Sequence, residues 1–128
     1  MSGFDTLIER AKTVQNERIL SEGTSVGYVA AALLSEGGNV YVGVNIDVFC
    51  GMGFCAEHSA IAAMVAAGES VIRKIVAICP KGILPPCGRC REFMSQINAK
   101  NLDAEVMIGE DKVVKLNELL PYRWDERS

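Results

Sequence analysis

The sequence predicts a three-layer α/β domain, and two observations carry that reading. Helical and strand-like stretches alternate in the order α-β-β-α-β-α-β-β, and two of the helical stretches follow strands, which places them as crossovers on the faces of a sheet. A chain of 128 residues that is 49% apolar and 23% charged also has material for one compact core and no room for a second. The expected architecture is an α-β-α sandwich around a mixed five-stranded sheet, with residues 1–128 as a single domain.

Phe4, Leu7, Ile8, Ala11 and Val14 recur on one helical face over roughly 4–16, and Ser2 with Asp5 has the spacing of a capping box. Residues 26–34 and 40–46 are β-compatible runs joined by Ser35-Glu36-Gly37-Gly38-Asn39, a turn by composition, so they predict a hairpin. From Ala56 to Ala67 nearly every residue is small or apolar, and Gly68 follows as a C-cap, which reads as a helix buried on all sides. Val71 to Cys79 reads as a strand, and Pro85-Pro86 open a helix from about Cys87 to Asn98. Ala104–Ile108 and Val113–Lys115 are short strands around Gly109-Glu110-Asp111, and Leu116 to Pro121 gives a last helical turn.

Thirteen basic against sixteen acidic residues leave a net charge of −3, and no stretch gathers basic residues with aromatics on one face, which disfavours a polynucleotide partner. Met1 to Asp5 lacks the features of a signal peptide, and no apolar run approaches the roughly 20 residues that cross a bilayer, so the expected location is cytoplasmic and away from membranes. Cys50, Cys55, Cys79, Cys87 and Cys90 are an odd set in a domain that folds without staples, and metal binding or catalysis explains them better than disulfides. Cys50 and Cys79 stay unassigned.

Cys87 and Cys90 lie three residues apart in the first turn of a predicted helix, and Cys55 sits at the entry to another. Helix N-termini favour anionic sulfur, through free N–H groups and the positive end of the dipole. Three thiolates without an obvious fourth ligand describe a catalytic zinc site whose open position holds water, and Glu57 stands two residues beyond Cys55, in reach of that water. Three thiolates on a dication leave a net negative charge, so His58 and Arg91 are candidate positive partners of the sulfurs. Arg89 reads as a solvated or surface-pairing residue.

Cys55-Ala56-Glu57-His58, followed by Pro86-Cys87-Gly88-Arg89-Cys90-Arg91-Glu92, resembles the signature of the cytidine deaminase family. The likeness extends to Gly43-Val44-Asn45 and Leu119-Leu120-Pro121, and it is greatest to the small tetrameric members, above all the blasticidin-S deaminases. It implies a cytidine deaminase-like fold and a zinc ion held by Cys55, Cys87 and Cys90. Hydrolytic attack falls on carbon 4 of a cytosine ring, with Glu57 as proton shuttle. It further implies that the Ala56 N–H meets the ring carbonyl and that Asn45 and Asp47 hold the sugar. A homotetramer is expected, with the Tyr122-Arg123-Trp124 tail bordering a neighbouring site and Trp124 touching substrate.

Two departures from the cytidine pattern bear on substrate. Gly27 stands where cytidine deaminases commonly carry a base-packing Phe, which implies a wider pocket, and Asp47 replaces a longer Glu in the sugar grip. Both turn the expectation toward blasticidin S or a broadened range, with ordinary cytidine or deoxycytidine of pyrimidine salvage as the alternative. Two rival classes remain open: a non-catalytic domain whose zinc is closed by His58 as fourth ligand, and a redox C-x-x-C protein needing no metal.

Overall fold

The computed structural model describes residues 3–125. Helix α1 (Phe4–Val14) covers one face of a sheet, and α2 (Ala56–Ala66) and α3 (Gly88–Ile97) cover the other. The strands are β1 (Arg18–Ser21), β2 (Thr24–Ser35), β3 (Val40–Asp47), β4 (Ile72–Cys79), β5 (Gly82–Leu84), β6 (Glu105–Gly109) and β7 (Lys112–Lys115). β2 pairs with β3 and β4, β4 continues to β6 in parallel, and β6 closes on β7 antiparallel. The three-layer sandwich with a mixed sheet is therefore as expected.

Side-chain alternation along the central strands divides the core in two. Ala30, Ala32, Val76 and Ile78 face α1 and meet Phe4, Leu7 and Ala11. Ala31, Leu33, Ile75 and Ala77 face the other way, onto Ala60, Ile61 and Met64 of α2 and Cys90 and Met94 of α3. Small residues on β2 let both helical layers approach closely, which is why a run of three alanines occupies the middle strand.

Four expectations change. The sheet has seven strands, because β1 and β5 extend the expected five as short arms folded back on β2 and β4; both are too short to show a period in the sequence. The Ser2 cap lies outside the described residues, and α1 starts after Gly3 in the left-handed region (φ 82). Helix α2 is buried on one side only: Ala62, Ala63, Val65 and Ala66 are exposed, since a single sheet face cannot cover a whole helix.

Gly27 is the fourth. It is not the missing wall of a pocket: its φ is 85, and a Cβ there would collide with the Asn16 carbonyl, while its own carbonyl accepts from the Asn16 N–H at 3.0 Å. The residue marks an irregularity in the β2–β3 pairing, which shifts register between Val26 and Ala30.

The β2–β3 turn is fixed by Glu69, just past α2. Its carboxylate accepts from Ser35 Oγ, Asn39 Nδ2 and Tyr41 Oη, each at 2.8 Å, and from Gly37 N at 3.0 Å. The Asn39 amide, then the two hydroxyls, hold the carboxyl down at about 2, and the hydrogen bond to Glu69 in turn keeps the Tyr41 phenol above its ordinary value. A depressed folded pKa means that this stabilisation is whole above the unfolded value near 4.5 and is lost as pH falls toward 2. In urea unfolding, Glu69→Gln is expected to be less stable than the parent at pH 7, with the gap closing below pH 4.5; a gap independent of pH would show that the carboxylate charge is not what holds the turn.

Candidate active site

The chemistry-bearing residues converge where the N-termini of α2 and α3 meet. Cys55 and Cys87 are the N-cap residues of the two helices, both in extended backbone (φ −74 and −72). Cys90 lies one turn into α3 and is fully buried. The Cys55 and Cys87 sulfurs are 3.3 Å apart, and those of Cys87 and Cys90 3.7 Å. Tetrahedral zinc with bonds of about 2.3 Å sets its sulfur ligands about 3.8 Å apart, so the trio fits the ion.

His58 also reaches this cluster. Its Nδ1 lies 3.4 Å from Cys90 Sγ, and the ligand atoms of Cys55, His58 and Cys90 all fall within 4.8 Å of one another, a group able to hold a metal ion. The imidazole is buried and stacked on Phe93, with ring centroids 4.2 Å apart and planes 6° from parallel. Phe93 is a contact that sequence patterning did not single out.

Close packing sets the helix positions. A Cβ at Gly43 of β3 would collide with the backbone of Ala60 and the side chain of Ser59, so only glycine lets α2 lie this near the strand. Ser59 Oγ then donates to the Val44 carbonyl at 2.7 Å. Phe54 and Ile46 exchange backbone hydrogen bonds of 2.9 and 3.0 Å, clamping the segment before Cys55 to β3.

Arg91 does not meet the sulfurs. Its Nε donates to the Pro86 carbonyl at 2.9 Å and its Nη1 to that of Leu119 at 3.2 Å, so it ties the entry of α3 to the 3-10 turn Leu116–Leu119. The expected charge partner is thus a backbone tether, because a planar fork beside two outward carbonyls is satisfied there first.

Burial and neighbouring acids make Cys55 and Cys90 reluctant to ionise unaided. Burial, then the Cys87 thiol, pushes Cys55 up to about 11, and burial with the nearby Glu57 carboxylate pushes Cys90 up as well. Burial also raises Cys87, but the Cys90 N–H and the adjoining thiols outweigh it, and this thiol lies below its ordinary value. A divalent cation is the counter-charge that lets three such sulfurs ionise together. Glu57 is buried 3.5 Å from Cys90 Sγ, and desolvation raises its pKa, whereas burial and then the Arg89 charge lower that of His58.

The sequence from residue 4 to residue 105 matches the family described as the cytidine and deoxycytidylate deaminase zinc-binding region. The chain belongs to this family. A cytidine deaminase of Halalkalibacterium halodurans is 33% identical over 110 residues, covering 78% of this chain and 82% of the relative. One of Vibrio parahaemolyticus is 33% identical over 98 residues, although the chain spans only 31% of its length. Among solved structures, cytidine deaminase from Mycobacterium leprae superposes with a TM-score of 0.78 at 27% identity, covering 93% of this chain and 98% of that one. That from Burkholderia pseudomallei gives 0.74 at 28%, with 94% and 98% covered.

As a member of the cytidine deaminase family, the chain is a zinc-dependent aminohydrolase, and its thiol cluster opens on a cavity of about 400 Å³. Asn45, Asp47, Ala56 and Glu57 line that cavity with Cys55 and Cys87. Asn45 Oδ1 accepts from the Val29 N–H at 2.8 Å while its Nδ2 donates to Asp47 at 3.1 Å, which fixes how the amide presents itself. Ala56 and Glu57 open α2, where backbone N–H groups have no acceptor within the helix.

Trp124 is not among the residues lining this chain's own cavity. It is 74% exposed, and its Nε1 donates to Glu92 on α3 at 2.7 Å. Arg89, expected on a solvated face, instead lines the cavity and donates from Nη1 to the Gly53 carbonyl at 3.2 Å. The one sequence clue to that place was its position between the two cysteines of the α3 entry. No described helix is long and apolar enough to cross a membrane.

Proposed function

We propose that residues 1–128 form a single nucleoside deaminase domain that hydrolyses the cytosine ring to the uracil form with release of ammonia. The observation carrying this reading is Glu57, a buried carboxylate 3.5 Å from a thiol of the metal cluster and open to the cavity. Cys55, Cys87 and Cys90 are the ligands, and His58 donates to the Cys90 sulfur while Phe93 holds its ring. A ligand set of Cys55, His58 and Cys90 is the second reading, favoured by the mutual proximity of those three groups.

When bound, zinc supplies a Lewis acid that makes water nucleophilic near neutral pH. Glu57 takes a proton from the attacking water, passes it to ring nitrogen 3 and then protonates the departing amine. Attack forms the C–O bond as the C4–N3 π bond opens onto the protonated N3, and the C–N bond to the amine then breaks as Glu57 relays the remaining hydroxyl proton to it, which restores the ring carbonyl. A carboxyl whose pKa is raised by burial suits both directions of that transfer. The Ala56 N–H faces the ring carbonyl, and Asn45 and Asp47 face the sugar. We propose a cytoplasmic location, the compartment in which such thiols stay reduced.

Glu57→Gln is expected to keep its zinc and lose about 10²–10⁴-fold in turnover. Metal analysis beside it separates the ligand sets. Under the thiol tripod Cys87→Ala loses zinc and His58→Arg retains it; the reverse pattern establishes His58 as the ligand.

We further propose a substrate range extended toward blasticidin S, supported by the short Asp47 carboxylate, which grips ribose hydroxyls less closely. Turnover of cytidine, deoxycytidine and blasticidin S, measured side by side, should favour blasticidin S or treat all three comparably. Far greater efficiency on cytidine would remove this preference and leave deamination standing.

We also propose a homotetramer. The exposed Ala62, Ala63, Val65 and Ala66 face of α2 and the outward Trp124 support it, with Trp124 reaching a neighbour's substrate. Light scattering should give four chains per particle, and a monomer that is active when dilute would refute the assembly.

A further inference from the structure

We propose that Arg91 is the positioning residue of Cys87: it holds both peptides that flank this ligand and braces them against the C-terminal 3-10 turn. Metal retention then depends on a carbonyl 28 residues further along the chain. The inference rests on the reading of Cys55, Cys87 and Cys90 as the ligands.

The three sulfurs are not held equally. Cys90 is buried and Cys55 half-buried, whereas Cys87 is exposed and caps α3 without a side-chain hydrogen bond. The chain leading to Cys87 has few donors to fix it, because β5 ends at Leu84 and neither Pro85 nor Pro86 carries an N–H. Carbonyl oxygen is the remaining handle. Arg91 Nε donates to the Pro86 carbonyl at 2.9 Å, and the Arg91 backbone N–H donates to the Cys87 carbonyl at 3.0 Å. Those two carbonyls belong to the planar peptides on either side of the Cys87 Cα, so holding both fixes the direction of its Cα–Cβ bond. One residue therefore aims the thiol.

The far end of the guanidinium is anchored in turn. Its Nη1 donates to the Leu119 carbonyl at 3.2 Å, and Leu119 packs on the core that α2 and α3 share. The 3-10 turn is itself rigidly seated: Leu116 is fully buried and donates its N–H to the Ala104 carbonyl at 3.0 Å, and Glu118 accepts from the Lys115 N–H at 3.0 Å. A planar fork reaches two carbonyls from different nitrogens of one rigid plane, which a flexible ammonium does not reproduce. The consequence falls on the metal. Of three ligands the exposed one is the first that solvent can replace, so its orientation sets how long the ion is kept.

The test compares the parent, Arg91→Met, Arg91→Lys and Glu69→Gln. Zinc release to a chelator is timed in each, and cobalt(II) put in place of zinc reports thiolate ligation through the intensity of sulfur-to-metal charge-transfer absorption. Arg91→Met should hold zinc about 10–100-fold less tightly, release it correspondingly faster and lose part of the cobalt band. Arg91→Lys keeps the charge without the fork and should recover only part of the loss; it carries the test alone if the Met variant does not fold. Glu69→Gln loosens the β2–β3 turn away from the cluster and should release zinc as the parent does. A parental release rate in the Arg91 variants, full recovery in Arg91→Lys, or equal acceleration in Glu69→Gln overturns the proposal. A three-thiolate parent whose cobalt band is unchanged in the Arg91 variants refutes the role of Arg91 alone. A two-thiolate parent that keeps its band in Cys87→Ala removes Cys87 from the ligand set, and the proposal falls with that reading.

Discussion

The site depends on one electrostatic constraint: three thiols held within 3.7 Å along the Cys55–Cys87–Cys90 chain cannot ionise together without a cation between them. The fold meets half of that demand itself. It brings the N-termini of two helices to one point, so that backbone N–H groups and both helix dipoles favour negative sulfur where Cys55 and Cys87 sit. The opposing influences, burial of Cys90 and the nearby Glu57 carboxylate, keep the cluster from being stable as free thiolates. What results is a cluster of thiols whose joint ionisation requires a cation.

Holding two helix entries in register requires packing that has no slack. Gly43 lets α2 approach β3, Ser59 ties it to the Val44 carbonyl, and the Phe54–Ile46 bridge fixes the chain just before Cys55. On the other side Arg91 binds the carbonyl of Pro86, one residue before Cys87. Each tether acts on backbone near the cluster and leaves the sulfurs themselves unengaged. The sheet contributes the rest, since Ala31 and Ala77 are small enough for both helices to rest on it.

Much of this was legible from residue types alone. Cysteine spacing, the Pro-Pro helix start and Glu57 two places after Cys55 identified the cluster, because ligand chemistry leaves a local pattern. The periods of α1, β2, β3 and β4 were equally plain, and so was the layering. What escaped was set by tertiary partners. Arg91 could be read as a charge near sulfur, but the carbonyls of Pro86 and Leu119 lie 5 and 28 residues away and claim it. Gly27 suggested a missing aromatic ring until the Asn16 carbonyl beside it explained the glycine. β1 and β5 are three or four residues long and gain their identity from β2 and β4.

The two carboxylates of the cavity show how one pocket separates roles through solvation. Glu57 opens α2 and is 5% exposed, and desolvation raises its pKa above the ordinary carboxylate value. Asp47 ends a strand at the exposed rim, bonded to the Asn45 amide, where it serves as a fixed acceptor. With their environments exchanged, a solvated Glu57 would stay ionised and a buried Asp47 would tend to protonate and lose its acceptor strength. One cavity thus offers a buried carboxyl at the entry of α2 and an exposed carboxylate at the end of β3, two acids of opposite character that solvation alone keeps apart.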